Sequence, residues 1–412
     1  MRRTGKKNAA LAAGLLLVIL LAVGVGLEGP RSAIVRSGLS IYLNTRGLHL
    51  QRGDLRLGGG ELRARDLVIA ERNGPTLFSA AALRVRYSFH GTSAAIEAVD
   101  VQRPYLAVRR EANGTFNLTN LFGTGPAGPA GPAKQGPPMR MRVTVRDGRV
   151  DMLNPTSPLP IARGFTLSGL NVNALIDQGR RSHGDLAAVI SAAGVARPLR
   201  AVFVENDLTR LGTISAHVTD VPLAPIVDLL VNTPAFVVEH GRADVAIEVY
   251  ALGWAEAAGP AWQVSADIAL RDGALKVVPL LVPARELSGK LHYSGGSLSL
   301  DGVTGTAAGV PLLALGSLQI LPSARLAVRV DAQGPAERVR KLLAFSRSLP
   351  LGGTLALQAR VSGPVTNPHV RVGFVSAAGL RFGGGPAAPV AGTLYYHHGH
   401  VTLTDVAADY AG

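Results

Sequence analysis

The chain has 412 residues, a net charge of +14 and no cysteine, with 47% hydrophobic but only 5% aromatic residues. That length and apolar content allow two or more domains with a sizeable core, and the missing cysteine excludes disulfides and thiolate metal sites. The basic excess is mostly arginine spread along the chain, with no basic helix and no aromatic platform, which argues against a nucleic-acid module.

The opening "MRRTGKKN" carries Arg2, Arg3, Lys6 and Lys7 ahead of an uncharged apolar run from Ala9 to Leu27. About 20 such residues cross a bilayer as a helix, and the positive flank puts the N-terminus in the cytoplasm. A cleaved signal peptide has a shorter apolar region ending at a small-residue site. Residues 1–30 are therefore expected to be a basic tail and an uncleaved single-pass anchor, with the bulk of the chain outside the cytoplasm, in the periplasm if there is one; together with the missing cysteine this fits a bacterial envelope protein. The string "GVGLEG", Gly24 to Gly29, matches a dinucleotide fingerprint by letter, but it closes an apolar helix instead of joining a strand to a helix. No cofactor is expected. After Pro30, residues Ile34, Leu39, Ile41 and Leu43 suit a short leader helix.

From Gly47 the apolar period is two. Leu83, Val85, Tyr87 and Phe89 alternate with Arg84, Arg86 and Ser88, and Met141, Val143 and Val145 alternate with Arg142, Thr144 and Arg146. Leu298 with Leu300, and Val401 with Leu403, behave alike. Strict alternation predicts strands with one apolar and one solvated face. Asp147-Gly148, Asp272-Gly273 and Gly295-Gly296 predict hairpin turns between such strands. Helical patterns are few, the best at 224–232 and 335–348.

The stretch "RPYLAVRREANGTFNLTNLF", Arg103 to Phe122, predicts a strand opening at Pro104, a turn at Asn113-Gly114 and an apolar end at Leu118, Leu121 and Phe122. Its two N-x-T sequons, at Asn113 and Asn117, are incidental on this reading. The Gly/Pro/Ala run that follows is too short for a collagen helix and reads as a linker or loop over 123–139.

The second half repeats itself. Residues 287–309 align without gaps to 390–412, pairing Gly289 with Gly392, Leu291 with Leu394, Tyr293 with Tyr396 and Leu300 with Leu403. Residues 264–275 match 370–381, and 241–249 match 353–361. The expected organisation is a leader helix and first β unit over 31–122, the linker, a β segment over 140–209, and two repeats over 210–309 and 310–412. Repetition on this scale implies stacked units. The array ends directly after an aligned glycine with no cap, so the intact protein is expected to continue.

The fold class expected from this pattern is mainly β with a few helices: a transmembrane helix followed by an elongated, repetitive, curved antiparallel sheet. One-sided strands with few helices to cover them close as a sandwich or barrel, or stay open as a trough. A trough needs an apolar, undemanding ligand, and phospholipid acyl chains fit, at about 0.8 kcal/mol per buried CH₂. The candidate lining residues are Leu83, Val85, Tyr87, Phe89, Leu106, Val108, Met141, Val143, Val145, Leu298, Leu300, Val401 and Leu403. An assembly factor that pairs with other β-proteins through its sheet edges, and a passive stalk with a filled interior, are the competing readings.

The anchor, the leader and the strand with Pro104, Leu106, Val108, Arg110, Gly114, Asn117 and Leu118 resemble the AsmA/TamB superfamily of envelope proteins. The run from Ala359 to Gly412, with Asn367-Pro368 and its glycine-marked hairpin, is similar to the repeating unit of the TamB branch. The resemblance implies a β-groove anchored in the inner membrane, phospholipid transport between membranes and outer-membrane biogenesis. It also implies an outer-membrane β-barrel partner, met through a C-terminal region beyond this chain; an alternative role is translocation or assembly of outer-membrane or secreted proteins. Which branch applies is left open.

No enzyme activity is expected. The "YYHHGH" stretch puts His398 and His400 on one face by simple alternation and His397 on the other, and the aligned hairpin has Ser294, Gly295 and Ser297 there. No recurrent metal set is implied, and no H-E-x-x-H, G-x-S-x-G or Walker loop is present.

Overall fold

The computed structural model describes residues 31–72, 74–90, 93–111, 116–117, 140–157, 163–177, 181–206, 211–231, 236–252, 261–277, 282–320, 325–342, 351–382, 385–397 and 400–408. The apolar run 9–27, Gly24 to Gly29, the linker 123–139, and Gly114, Leu118, His398 and Gly412 lie outside them. Among the described residues no helix is long and apolar enough to cross a membrane.

The chain is mainly β, with twenty strands and three helices described. Helix α1 (Arg31–Asn44) is followed by β1 (Leu48–Gly58), β2 (Glu61–Glu71), β3 (Thr76–His90), β4 (Ser93–Gln102), β5 (Tyr105–Arg109), β6 (Arg140–Leu153), β7 (Gly164–Asp177), β8 (Arg181–Ala192), β9 (Val195–Asn206) and β10 (Leu211–Pro222). Then come α2 (Ala224–Val231), β11 (Phe236–Leu252), β12 (Ala261–Val277), β13 (Ala284–Ser294), β14 (Ser297–Ala307), β15 (Val310–Gln319), β16 (Arg325–Pro335), α3 (Ala336–Arg340), β17 (Leu351–Pro364), β18 (His369–Phe382), β19 (Ala388–His397) and β20 (His400–Ala408). Contacts divide the chain into two units: residues 1–156, 163–218 and 247–263, and residues 157–162, 219–246 and 264–412.

In the first unit the leader is a helix, as its apolar spacing predicts. Leu39 and Leu43 lie four apart, on one face of the helix, and enter a cluster with Leu48, Leu55, Leu62, Leu67, Leu77, Val85 and Ile96. Ile41, on the other face, is exposed. The helix ends at Asn44, and Gly47, with φ of 73°, closes the turn into β1 in a left-handed conformation. Each fully buried leucine contributes about 1.5–3 kcal/mol, so Leu39 and Leu43 hold α1 against the sheet.

The strands of this unit pair in the order β1, β2, β3, β4, β6, β7, β8, β9, β10. The pairing is antiparallel except at β6, which runs parallel to β4 and to β5. This corrects the wholly antiparallel expectation. Parallel neighbours need a crossover of a dozen or more residues, and the connection between Arg109 and Arg140, which contains the Gly/Pro/Ala run, is long enough to supply it. In the second unit β12 to β20 pair in sequence order, all antiparallel. Helix α3 packs there: its Ala336 and Val339, with Leu342 just after it, share a buried cluster with Val310, Leu355 and Leu380.

Two of the three predicted turns are bulges. Gly295-Gly296 does turn between β13 and β14, but Asp147-Gly148 lies inside β6 and Asp272-Gly273 inside β12. At both sites the register slips, between Val145 and Gly148 and between Leu270 and Gly273. The aspartates have φ of 52° and 48°. Aspartate tolerates the left-handed region better than most residues, so the same dipeptide serves a turn or a bulge, and only strand pairing tells them apart. The bulged Asp147 N–H is met from the next strand by Asn171 Oδ1 at 3.1 Å. Bulges bend a strand and increase its local twist.

The repeat has a structural counterpart within the second unit. The hairpin β13–β14 pairs Leu291 with Leu300 and Ser294 with Ser297, and β19–β20 pairs Leu394 with Leu403 and His397 with His400. The bulge residues also correspond: Gly302 has φ of 68° and Asp405 of 54°. Helices α2 and α3, the two predicted helical patterns, each follow a strand that ends in proline, Pro222 and Pro335.

Candidate functional site

Cross-strand register assembles the alternating apolar residues into long rows. In the first unit one row runs Leu57, Leu62, Val85, Val99, Val143, Ala174, Gly184, Phe203, Ile214 across nine strands. Its neighbour contains Leu83, Val101, Val145, Val172 and Leu186. In the second unit a row runs Ile268, Leu291, Leu300, Gly316, Val328, Val361, Val370, Tyr396, Val401 across β12 to β20. At ~4.8 Å per strand each nine-strand row is roughly 40 Å long.

These rows are sealed at one place and accessible at others. Val85 is fully buried in the cluster that α1 covers, whereas Val99, Val143, Ala174 and Ile214 are half-buried. In the second unit Ile268, Leu291, Leu300, Val328 and Val361 are half-buried, Val370 is buried and Val401 is exposed.

The predicted lining residues are placed as follows. Leu83, Val85, Val143 and Val145 share two adjacent rows. Met141 is half-buried against the α1 cluster. Tyr87 is buried, while Phe89, its ring edge-on to Tyr87 at 5.6 Å, is 54% exposed. Leu106 pairs with Phe78 and Val150, and Val108 with Met152. Leu298 and Leu300 are half-buried, Val401 shares a row with Leu300, and Leu403 is exposed opposite Leu394. The lining residues expected from single strands include only Leu300 and Val401 of this row; Ile268, Leu291, Gly316, Val328, Val361, Val370 and Tyr396 complete it.

Two residues of the predicted motif have structural roles. Pro104 sits between β4 and β5, and its carbonyl accepts from the Arg149 N–H at 2.7 Å. Asn117 is buried. Its Oδ1 accepts from the Arg109 N–H at 2.9 Å, and its Nδ2 donates to the Ala107 carbonyl at 3.1 Å and to Glu71 Oε1 at 3.4 Å. Asn117 thus clamps the returning chain onto β5. Asn117→Ala strips the partners from a half-buried N–H and a buried C=O, and should cost about 1–3 kcal/mol, read as a lower midpoint in urea unfolding.

A polar group supports the parallel joint. Asp151 accepts from Arg149 Nε at 2.9 Å and from Thr166 Oγ1 at 2.8 Å. Burial pushes its carboxyl pKa up, but these bonds, the Arg149 charge and a bond from Tyr105 outweigh it and hold the pKa below the usual value. A depressed folded-state pKa stabilises the fold above the unfolded aspartate pKa of about 3.9, and that stability is lost as pH falls through the lower folded value. Asp151→Asn should therefore lower stability at neutral pH and flatten its decline below about pH 4, measured as denaturant midpoint against pH.

The opposite, polar face carries arginine rows. In the first unit Arg56, Arg63 and Arg84 face one another on three strands, neutralised by Asp54 on Arg56 at 3.0 Å and by Glu61, which pairs with Arg63 at 2.7 Å and with Arg84. In the second unit Arg329, Arg360 and Arg371 face one another on β16, β17 and β18. Two residues along the same strands lies a shallow cavity of about 970 Å³, lined by Leu313, Asp331, Gln358, Gly373, Val375 and Thr393 among others. Near the strand ends the ring of His369 stacks on His397, with centroids 3.8 Å apart. The register of β19 and β20 places His397 opposite His400, so these two share a face, correcting the simple alternation. Among the described residues no group of three His, Asp or Glu is arranged to hold a metal ion.

Comparison with protein-family models finds no match, and comparison with curated proteins finds no significant relative.

Proposed function

We propose that the half-buried apolar rows of each unit hold phospholipid acyl chains, and that the protein is an inner-membrane-anchored envelope protein that carries phospholipid between membranes in outer-membrane biogenesis. The observation that carries this is the row from Ile268 to Val401: nine strands contribute to it, and most of its side chains are neither sealed in a core nor replaced by polar residues. A surface of this kind binds without directional bonds, so a chain of CH₂ groups gains about 0.8 kcal/mol for each one buried and can still slide. The resemblance to the AsmA/TamB superfamily and the apolar run at 9–27 point the same way. The test is lipid mass spectrometry on the full chain purified in mild detergent. Co-purifying phospholipid in stoichiometric amount is expected; a lipid-free, folded protein would overturn the reading.

A further inference from the structure

We propose that the polar face of the second unit docks on a bilayer surface rich in anionic phospholipid headgroups, with Arg360 at its centre and Arg329 and Arg371 on either side.

Like charges directly opposite one another on neighbouring strands destabilise a sheet. In the first unit the corresponding three-arginine row has its own carboxylates, Asp54 and Glu61. The second row has a single carboxylate, Asp331, for its three arginines. Asp331 pairs with Arg329 at 2.9 Å, and is shared with Gln358 Nε2 at 3.3 Å. Arg371 lies over the Tyr395 ring at 5.5 Å. Arg360, exposed between them, meets no carboxylate among the described residues. A partner outside the chain that carries negative charge would relieve this repulsion.

The chemistry around the row selects the partner. Leu313, Leu315, Val375 and Tyr395 are exposed large side chains. Leu315 and Tyr395 fall in the arginine row itself, Leu315 opposite Arg329 and Tyr395 opposite Arg371. Leu313 lies two residues along β15, opposite Asp331. Guanidinium groups interleaved with aliphatic and tyrosine side chains match the boundary between headgroups and acyl chains. Three arginines at ~4.8 Å per strand span roughly 10 Å, which is wider than one phosphate ion and suits several headgroups. Nucleic-acid surfaces stack bases on several aromatic rings, and this face presents Tyr395 already engaged by Arg371. The docking face is opposite to the apolar rows, so the inference stands or falls independently of lipid carriage in them.

The experiment is flotation of the full chain with phosphatidylcholine vesicles, with and without phosphatidylglycerol. The phosphatidylcholine arm reads whatever the apolar segments contribute, and the increment on adding phosphatidylglycerol reads the arginine face. That increment should fall about fivefold for Arg360→Gln and roughly a hundredfold for Arg329→Gln/Arg360→Gln/Arg371→Gln. The triple lysine variant should keep most of it. Removing like charges that face one another offsets the loss of the Arg329–Asp331 pair, so the thermal midpoint of the glutamine variant should stay within a few degrees of the parent, and measuring it separates lost binding from lost folding. Equal partitioning to both vesicle types, an increment unchanged in the triple glutamine variant, or its abolition by inorganic phosphate at equal ionic strength would overturn the proposal. So would tighter binding of a single-stranded RNA through the same arginines.

Discussion

Leu300→Asp and Val361→Asp should each strip phospholipid from the purified chain, by roughly tenfold or more, while leaving it folded. Both side chains sit in the half-buried row of the second unit. In the lipid-free protein a partly exposed carboxylate keeps water, so the folding cost is small at Leu300 and larger at Val361, which packs against the buried cluster around Val370. With an acyl chain in place the same carboxylate must be desolvated, and even about 1.4 kcal/mol of that penalty is a factor of ten in affinity. Val85→Asp is the contrasting case. The chemistry is the same, but Val85 is 0% exposed, and an unpaired charge buried there is expected to cost more than about 4 kcal/mol and unfold the first unit. Lipid phosphate per protein and circular-dichroism melting read the two outcomes. Folded Leu300→Asp and Val361→Asp proteins with undiminished lipid would rule out these rows as the binding surface.

Gly316→Ala should destabilise the second unit by about 3 kcal/mol, although it only adds a methyl group to an apolar row. Gly316 has φ of 140°, and a Cβ there would stand 2.2 Å from the Ala327 carbonyl oxygen on the neighbouring strand. That atom is backbone in a ladder and cannot swing away. Gly373→Ala is the control, because its Cβ would meet nothing closer than 4.0 Å. Thermal midpoints should separate the two variants by several degrees. Equal midpoints would mean that β15 and β16 relax freely at this point, contrary to their close register.

The strands, their apolar faces, the leader helix and both repeat helices were legible because each is written within one element, as period two or as an i, i+4 pair. Leu83 to Phe89 and Leu39 with Leu43 are examples. What needed a second strand was not legible. Asp147-Gly148 and Asp272-Gly273 read as turns because turn and bulge ask the same backbone conformation of the same residues. The parallel joint at β6 was hidden because the pattern of a single strand says nothing of its neighbour's direction. The row Arg329, Arg360, Arg371 draws on three strands, and only the register shows that their charges meet. Asn117 stood out in the sequence as a motif residue, and its three side-chain hydrogen bonds supply the physical reason.

The order of strand pairing also bears on how the chain folds. From β13 to β19 each strand pairs with the one before it and the one after it. Most contacts therefore close over a short stretch of chain, which lowers contact order and the entropy that must be lost before pairing is rewarded. Such a sheet can grow by adding hairpins to a formed edge, and its growth suits a polypeptide that emerges from one end. The parallel joint differs: β6 can pair with β4 and β5 only after the ends of the long connection between Arg109 and Arg140 have come together. That joint is the non-local step on the folding path, and Asn117 and Asp151 are the residues that fasten its two sides.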